Sequence, residues 1–175
     1  MVIVSVGVAG ILLALDTSVR GSVNPIVQKQ ALAIAEALLE EIQLMPFTYC
    51  DPDDAVAETA EDPGDCGAAE AIGPETGEAR NPGIAQTPFD NVNDYQGFQL
   101  LSGIIDMTDA AIPGLEAYQA TVTVAQQGIP AIITPAVPAI PPDEALLITV
   151  TVTGPGNASV RLDGYRTRYV PNLLP

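Results

Sequence analysis

The chain has 175 residues, 22 acids against 6 cations, a formal net charge of −16, no His, no Trp and 2 Cys. Such a balance lacks the clustered positive charge that a nucleic-acid backbone or an anionic lipid leaflet requires, and without imidazole the usual general base and the commonest zinc ligand are missing. Apolar residues make up 47%, enough for a core at this length, but aromatics at 5% leave that core to Val, Ile, Leu and Ala.

The first element is the run "MVIVSVGVAGILLALD", with no charge before Asp16 and no cation before Arg20. A secretory signal carries a basic start and a small-residue cleavage site, and this run has no basic start. It is too short to span a bilayer alone, since roughly 20 residues are needed. It continues in helical style through "TSVRGSV". A helix over 2–23 would be about 33 Å long at 1.5 Å per residue. Its first two-thirds are apolar on all sides, and such a helix is buried in lipid or among other helices. The plainer alternative is a core helix of a globular protein. The run reads as a membrane or filament-core segment over 1–24 whose beginning is missing. Val4, Val8, Ile11, Leu12 and Leu15 are its candidate packing positions, and Ser5, Gly7, Ala9 and Gly10 permit close helix approach.

Asn24–Pro25 is a helix joint, because proline removes a backbone donor and clashes with the preceding turn. Over 25–46 the period is helical. Val27, Ala31, Ile34, Leu38, Ile42 and Met45 form one apolar stripe, with Gln28, Lys29, Glu36, Glu40 and Gln43 opposite. Pro46 ends the element. The remainder, 47–175, reads as a head domain.

Residues 47–94 are rich in Pro, Gly, Asp and Glu and hold neither period. A structureless loop of this length is uncommon in a compact domain. Cys50 and Cys66 lie in "TYCDPDD" and "PGDCGAA", without CxxC spacing. They read either as two free thiols or as one disulfide. The loop setting favours the disulfide, worth about 3 kcal/mol for a loop of about 15 residues, and an oxidising compartment. Such a bond would bring Asp51, Asp53 and Asp54 toward Asp62 and Asp65. "FDNVNDY" adds Asp90, Asn91, Asn93 and Asp94. Oxygen donors at this density suit calcium, the one candidate cofactor, although no EF-hand spacing occurs. The plainer reading is a solvated acidic loop with Asx-type turns.

Three strands follow in "EAYQATVTVAQQ", "EALLITVTVTG" and "NASVRLDGYRTRYV", by alternation and β-branching. A short piece near 95–106 would make an antiparallel sheet of about four strands. The proline-rich "GIPAIITPAVPAIPPDE" between the first two cannot be a central strand and reads as an extended hairpin arm. One sheet face must be covered, and the 25–46 stripe is the available cover. Arg166 and Arg168 fall on one face of the last strand, positioned to meet the chain's own acids or to dock a neighbouring subunit. No G-x-S-x-G, P-loop or G-x-G-x-x-G motif occurs, so an enzyme is not expected.

A long N-terminal helix, apolar then amphipathic, jointed at a proline and laid on an antiparallel sheet, resembles a type IV pilin in an α+β fold. The stretches Lys29–Glu41, Gln43–Asp54 ("QLMPFTYCDPDD"), Pro88–Phe98 ("PFDNVNDYQGF") and Gly164–Tyr169 ("GYRTRY") are similar to the MSHA (mannose-sensitive haemagglutinin) biogenesis pilin D family of minor pilins. The variable stretches, roughly 55–87 and 128–142, carry no resemblance. The family's methylated Phe start and the Glu at its fifth mature position have no counterpart here, and the chain begins about where the sixth or seventh mature residue would stand. The resemblance implies a non-enzymatic minor pilin that primes or caps an MSHA-type pilus and contributes to surface attachment. Its partners would be major and minor pilins, met through the N-terminal helix. It would lie first in the inner membrane of a Gram-negative bacterium, single-pass with a periplasmic head, and then in the extracellular pilus. A type II secretion pseudopilin shares the same plan. A tip adhesin or ligand-binding module, using the Pro-rich arm 128–142 on an unknown surface ligand, is the third reading.

Overall fold

The computed structural model describes residues 25–81, 87–131 and 138–168. Helix α1 occupies 25–44. In proteins most helical stability comes from packing an amphipathic face and not from propensity, so the apolar stripe decides whether it forms. Val27, Ala31, Ile34, Leu38 and Ile42 are all buried, Ala35 joins them, and Met45 is half-buried. Each large aliphatic side chain contributes roughly 1.5–3 kcal/mol on full burial. Gln28, Lys29, Glu36 and Glu40 are exposed, as their positions opposite the stripe require. The helix stops before Pro46, and Met45 N–H closes the last turn on the Ile42 carbonyl at 3.1 Å.

The stripe lies on a four-stranded antiparallel sheet in the order β3-β4-β5-β6. Its strands are β3 (Gln99–Leu100), β4 (Gln119–Gln126), β5 (Ala145–Gly154) and β6 (Ala158–Thr167), while β1 (Glu78–Ala79) and β2 (Thr87–Pro88) form a separate parallel pair. The register places Ala120, Val122 and Val124 opposite Val152, Val150 and Ile148, all buried. Thr121, Thr123, Thr149, Thr151 and Thr153 take the other face. One face is thus apolar and covered, and the other is polar. Gly154 and Gly164 mark where the helix comes closest. A Cβ at Gly164 would stand 2.6 Å from Gln43 Nε2 and 3.0 Å from Leu39 Cδ1, and one at Gly154 would meet Val27 Cγ1 at 3.2 Å.

The sequence expectation of an amphipathic helix on a four-stranded antiparallel sheet therefore holds among the described residues. The apolar half does not enter that comparison: Val4, Val8, Ile11, Leu12, Leu15 and the Asn24 side of the joint lie outside the described residues. Among the described residues no helix is long and apolar enough to cross a membrane. The hairpin arm has a paired base, where Ile129 and Ile140 exchange two backbone hydrogen bonds of 2.9 Å, and 132–137 lie outside the described residues.

Candidate metal centre

Three loop segments converge beyond the C-terminal end of α1. The first begins at Cys50, bonded to Cys66 with the Cα atoms 5.3 Å apart. The chain returns antiparallel to itself there: Asp51 N–H donates to the Ala68 carbonyl at 3.1 Å and Glu70 N–H to the Tyr49 carbonyl at 3.0 Å. Glu70 is carried inward by this pairing. The second segment turns at 75–78, where Glu75 N–H donates to Glu78 Oε2 at 3.0 Å. The third is the 3-10 turn Val92–Tyr95, all four residues of which are buried. Val92 N–H ties it to the Pro46 carbonyl at 3.1 Å, and Gly73 N–H ties the second segment to the Asn93 carbonyl at 3.1 Å. Within the turn, Asp94 Oδ2 accepts from Asp90 N–H at 2.9 Å and Asn91 N–H at 2.7 Å.

These links gather seven carboxylates in three groups, each with its oxygens within 4.8 Å of one another: Asp51, Asp53 and Asp90; Glu70, Glu75 and Asp94; Glu78, Asp90 and Asp94. Asp90 and Asp94 each belong to two groups and join the set. Among the described residues the ion pairs are Arg80–Glu41 and Arg161–Asp163, and neither reaches these acids. Both Glu70 oxygens and Asp94 Oδ1 are buried without a hydrogen-bond partner, as are Asn91 Oδ1 and Asn93 Oδ1 in the same turn.

Burial first, and the neighbouring negative charges second, push the Glu70 carboxyl up to about 9 and Asp90 to about 7. Burial also leads at Glu78, raised to about 8, and at Asp94, raised to about 6, where the Asn91 and Asp90 N–H bonds pull the other way. A buried carboxylate without a cationic neighbour holds a proton, and a metal ion that binds there displaces that proton. The donor set is all oxygen, because His is absent and both Cys are in the disulfide. That chemistry suits a hard cation and not zinc.

No protein-family model, no curated protein and no solved structure matches the chain.

Of the residues picked from sequence, Asp51, Asp53, Asp90 and Asp94 do come together, and Asn91 and Asn93 sit in the turn that carries Asp94. Asp54 does not join them. Its carboxylate accepts from Ala68 N–H at 2.6 Å and Val56 N–H at 3.1 Å, which holds its pKa below the ordinary value. Asp62 and Asp65 are spent on capping the exposed 3-10 turn Pro63–Asp65. Asp62 and Asp65 belong to none of the three groups, whereas Asp51 and Asp53 lie with Asp90. Sequence reasoning missed Glu70, Glu75 and Glu78. Their signal was three acids between Cys66 and Arg80 with no cation among them.

Arg166 and Arg168 share a face of the chain, as their spacing requires, and it is the covered one. Arg166 Nε donates to the Met45 carbonyl at 3.2 Å. The Arg168 guanidinium lies 4.0 Å from the Phe47 ring centre and 4.2 Å from that of Tyr49. Both bind their own chain, through a carbonyl and two rings. A second concavity, an apolar groove of about 400 Å³, runs between α1 and the 104–115 loop, with Ala33, Ala37, Ile104 and Ile112 among its walls and the Arg80–Glu41 pair at its edge.

Proposed function

We propose that the chain is a non-enzymatic minor pilin of an MSHA-type type IV pilus, which primes or caps filament assembly and contributes to surface attachment. One observation carries the reading: an amphipathic helix lies over one face of a four-stranded antiparallel sheet, and the sequence before that helix is an all-round apolar run. A helix so built has a sheet for its second half and needs lipid or sister helices for its first. The resemblance in "QLMPFTYCDPDD" and "PFDNVNDYQGF" supports the choice of an MSHA-type pilus. In this reading the head stays in the periplasm, where the Cys50–Cys66 bond is stable, until the helix joins the filament bundle.

The test is location. The protein, expressed from its genomic locus in a host with an MSHA-type assembly system, is expected in the inner-membrane fraction and in sheared filaments. Replacement of residues 1–24 by a cleavable secretory signal is expected to release the head to the soluble periplasm. Recovery of the intact protein only in soluble fractions, and never with filaments, would overturn the reading.

A further inference from the structure

The geometry points to a divalent-cation site in the head, with calcium preferred, held by Asp94, Glu70 and Glu75 and walled on its other side by Asp90 and Glu78. The inference is independent of the pilin reading, since it rests on the head's own oxygen atoms.

An acidic cluster alone says little, because solvated carboxylates need no ion. Here part of the cluster is shut off from water: Asp94 is buried and both Glu70 oxygens are covered. Asp94 is 1% exposed and belongs to two of the three carboxylate groups, yet its Oδ1 has no donor. Glu70 belongs to the group with Glu75 and Asp94, and neither of its oxygens has a donor. Asn93, 3% exposed, and Asn91, fully buried, each leave a neutral amide oxygen without a donor one or three residues from Asp94. Buried polar atoms are nearly always satisfied, and a group of orphaned acceptors implies a missing positive partner. Every atom of the cluster in need is an acceptor; the two O–H donors of a water would satisfy some of them, but a divalent cation also offsets the charge.

The coordination chemistry narrows the ion. Calcium takes six to eight oxygens at roughly 2.3–2.6 Å in irregular geometry, and it accepts carboxylates mixed with amide oxygens. Magnesium demands a tight octahedron and keeps its waters. Ligands here come from two unlike segments, a returning loop at 70–78 and a 3-10 turn at 92–95, with no rigid octahedral frame. A flexible, highly charged oxygen cage favours the larger ion. Once bound, the ion fastens the 70–78 loop to the 3-10 turn, and the turn is already fixed to the end of α1 through the Pro46 carbonyl.

The full chain in detergent, stripped with chelator, is titrated with calcium chloride and separately with magnesium chloride by calorimetry, and its melting is followed by circular dichroism. The expected result is one calcium bound per chain with a Kd at or below about 10⁻³ M, the weak end of extracellular modules. Magnesium is expected to bind at least about tenfold more weakly. At about 100 times Kd, calcium should raise Tm by roughly 5 °C or more. Glu70→Gln separates binding from architecture: it removes a carboxyl that must be desolvated and protonated on folding, so in chelator its Tm should rise, while calcium affinity should fall about tenfold or more. Glu75→Gln, half-exposed and closer to solvent, is the second variant and should weaken calcium without unfolding the head. Absence of heat and of a Tm shift at about 10 mM calcium, tenfold above that weak end, overturns the site. So does equal affinity for magnesium, or wild-type calcium binding in both folded variants.

Discussion

At the scale of single residues, Arg80 and Glu41 carry the largest electrostatic commitment outside the acidic cluster. Arg80 Nε and Nη2 each donate to a Glu41 carboxylate oxygen at 2.7 Å, and Nη1 reaches the Asp106 carbonyl at 3.3 Å. Tyr95 Oη donates to the same Glu41 at 2.8 Å, so the pair ties α1 to the last residue of the 3-10 turn. The side chains are only 8% and 18% exposed. The hydrogen bonds to Glu41, ahead of its charge, hold the guanidinium pKa above its ordinary value. Two parallel bonds at fixed spacing require the planar fork, and a lysine could meet only one oxygen at a time. Replacing Arg80 with Met would leave the Glu41 charge buried and uncompensated. We expect a loss of about 3–5 kcal/mol in urea unfolding, and partial recovery in the double variant Arg80→Met/Glu41→Gln. A loss below about 1 kcal/mol, the range of an exposed pair, would show that water reaches Glu41 freely. Arg80 is also where sequence reasoning was silent. A lone cation in an acidic loop gives no sign of which of 22 acids it will meet, because its partner lies 39 residues away on another element.

Among the elements, legibility followed period. The 25–44 helix announced itself by apolar steps of three and four, and burial of Val27, Ala31, Ile34, Leu38 and Ile42 matches that stripe. β4, β5 and β6 announced themselves by alternation, and Val122, Val124, Ile148 and Val150 face inward as the alternation requires. The 47–94 region has no period, so its path depends on long-range links that no local pattern encodes. The parallel bridge of β1 with β2 and the tie of Gly73 to Asn93 are of this kind. The disulfide was legible because two Cys in loops have one plausible partner each, while the choice of which acids meet was not. Cys50 is fully buried with Ala57 and Ala60 in a small satellite cluster, and Tyr49 packs against it. That cluster is too small to hold the 51–65 loop by apolar burial, so the covalent link is decisive. The double variant Cys50→Ser/Cys66→Ser should lose about 3 kcal/mol for a sequence separation of 16. Wild-type protein in reductant should melt with the variant. If both melt with the oxidised wild type, the loop is held by other contacts and the account of this element is wrong.

For the molecule as a whole, the charge of −16 is unevenly spent. Exposed acids such as Asp106, Glu116 and Asp163 accept hydrogen bonds that lower their pKa values. Asp106 is held down by Thr108, Glu116 by the Gly114 N–H, and Asp163 by Thr149. They add stability above their unfolded pKa, and it is lost as pH falls. The buried acids act with the opposite sign. Glu70, Glu78, Asp90 and Asp94, raised to about 9, 8, 7 and 6, keep protons in the folded head after the unfolded chain has released them. Wherever the folded state binds more protons, stability falls as pH rises. Their contribution is complete below the unfolded carboxyl values near 4 and is withdrawn progressively up to about pH 9. The two sets together place the optimum of the chelator-treated protein near pH 5, below the range common for soluble domains. The groups facing one another are acids, Asp51, Asp53, Glu70, Glu75, Glu78, Asp90 and Asp94, and among the described residues no ion pair reaches them. Tm measured in chelator should therefore decline from about pH 5.5 to pH 9. Added monovalent salt should flatten the decline only slightly, since buried charges are poorly screened. A Tm that held steady or rose over that interval would mean that the loop opens to hydrate its carboxylates, leaving the head without a covered acidic centre to hold a cation.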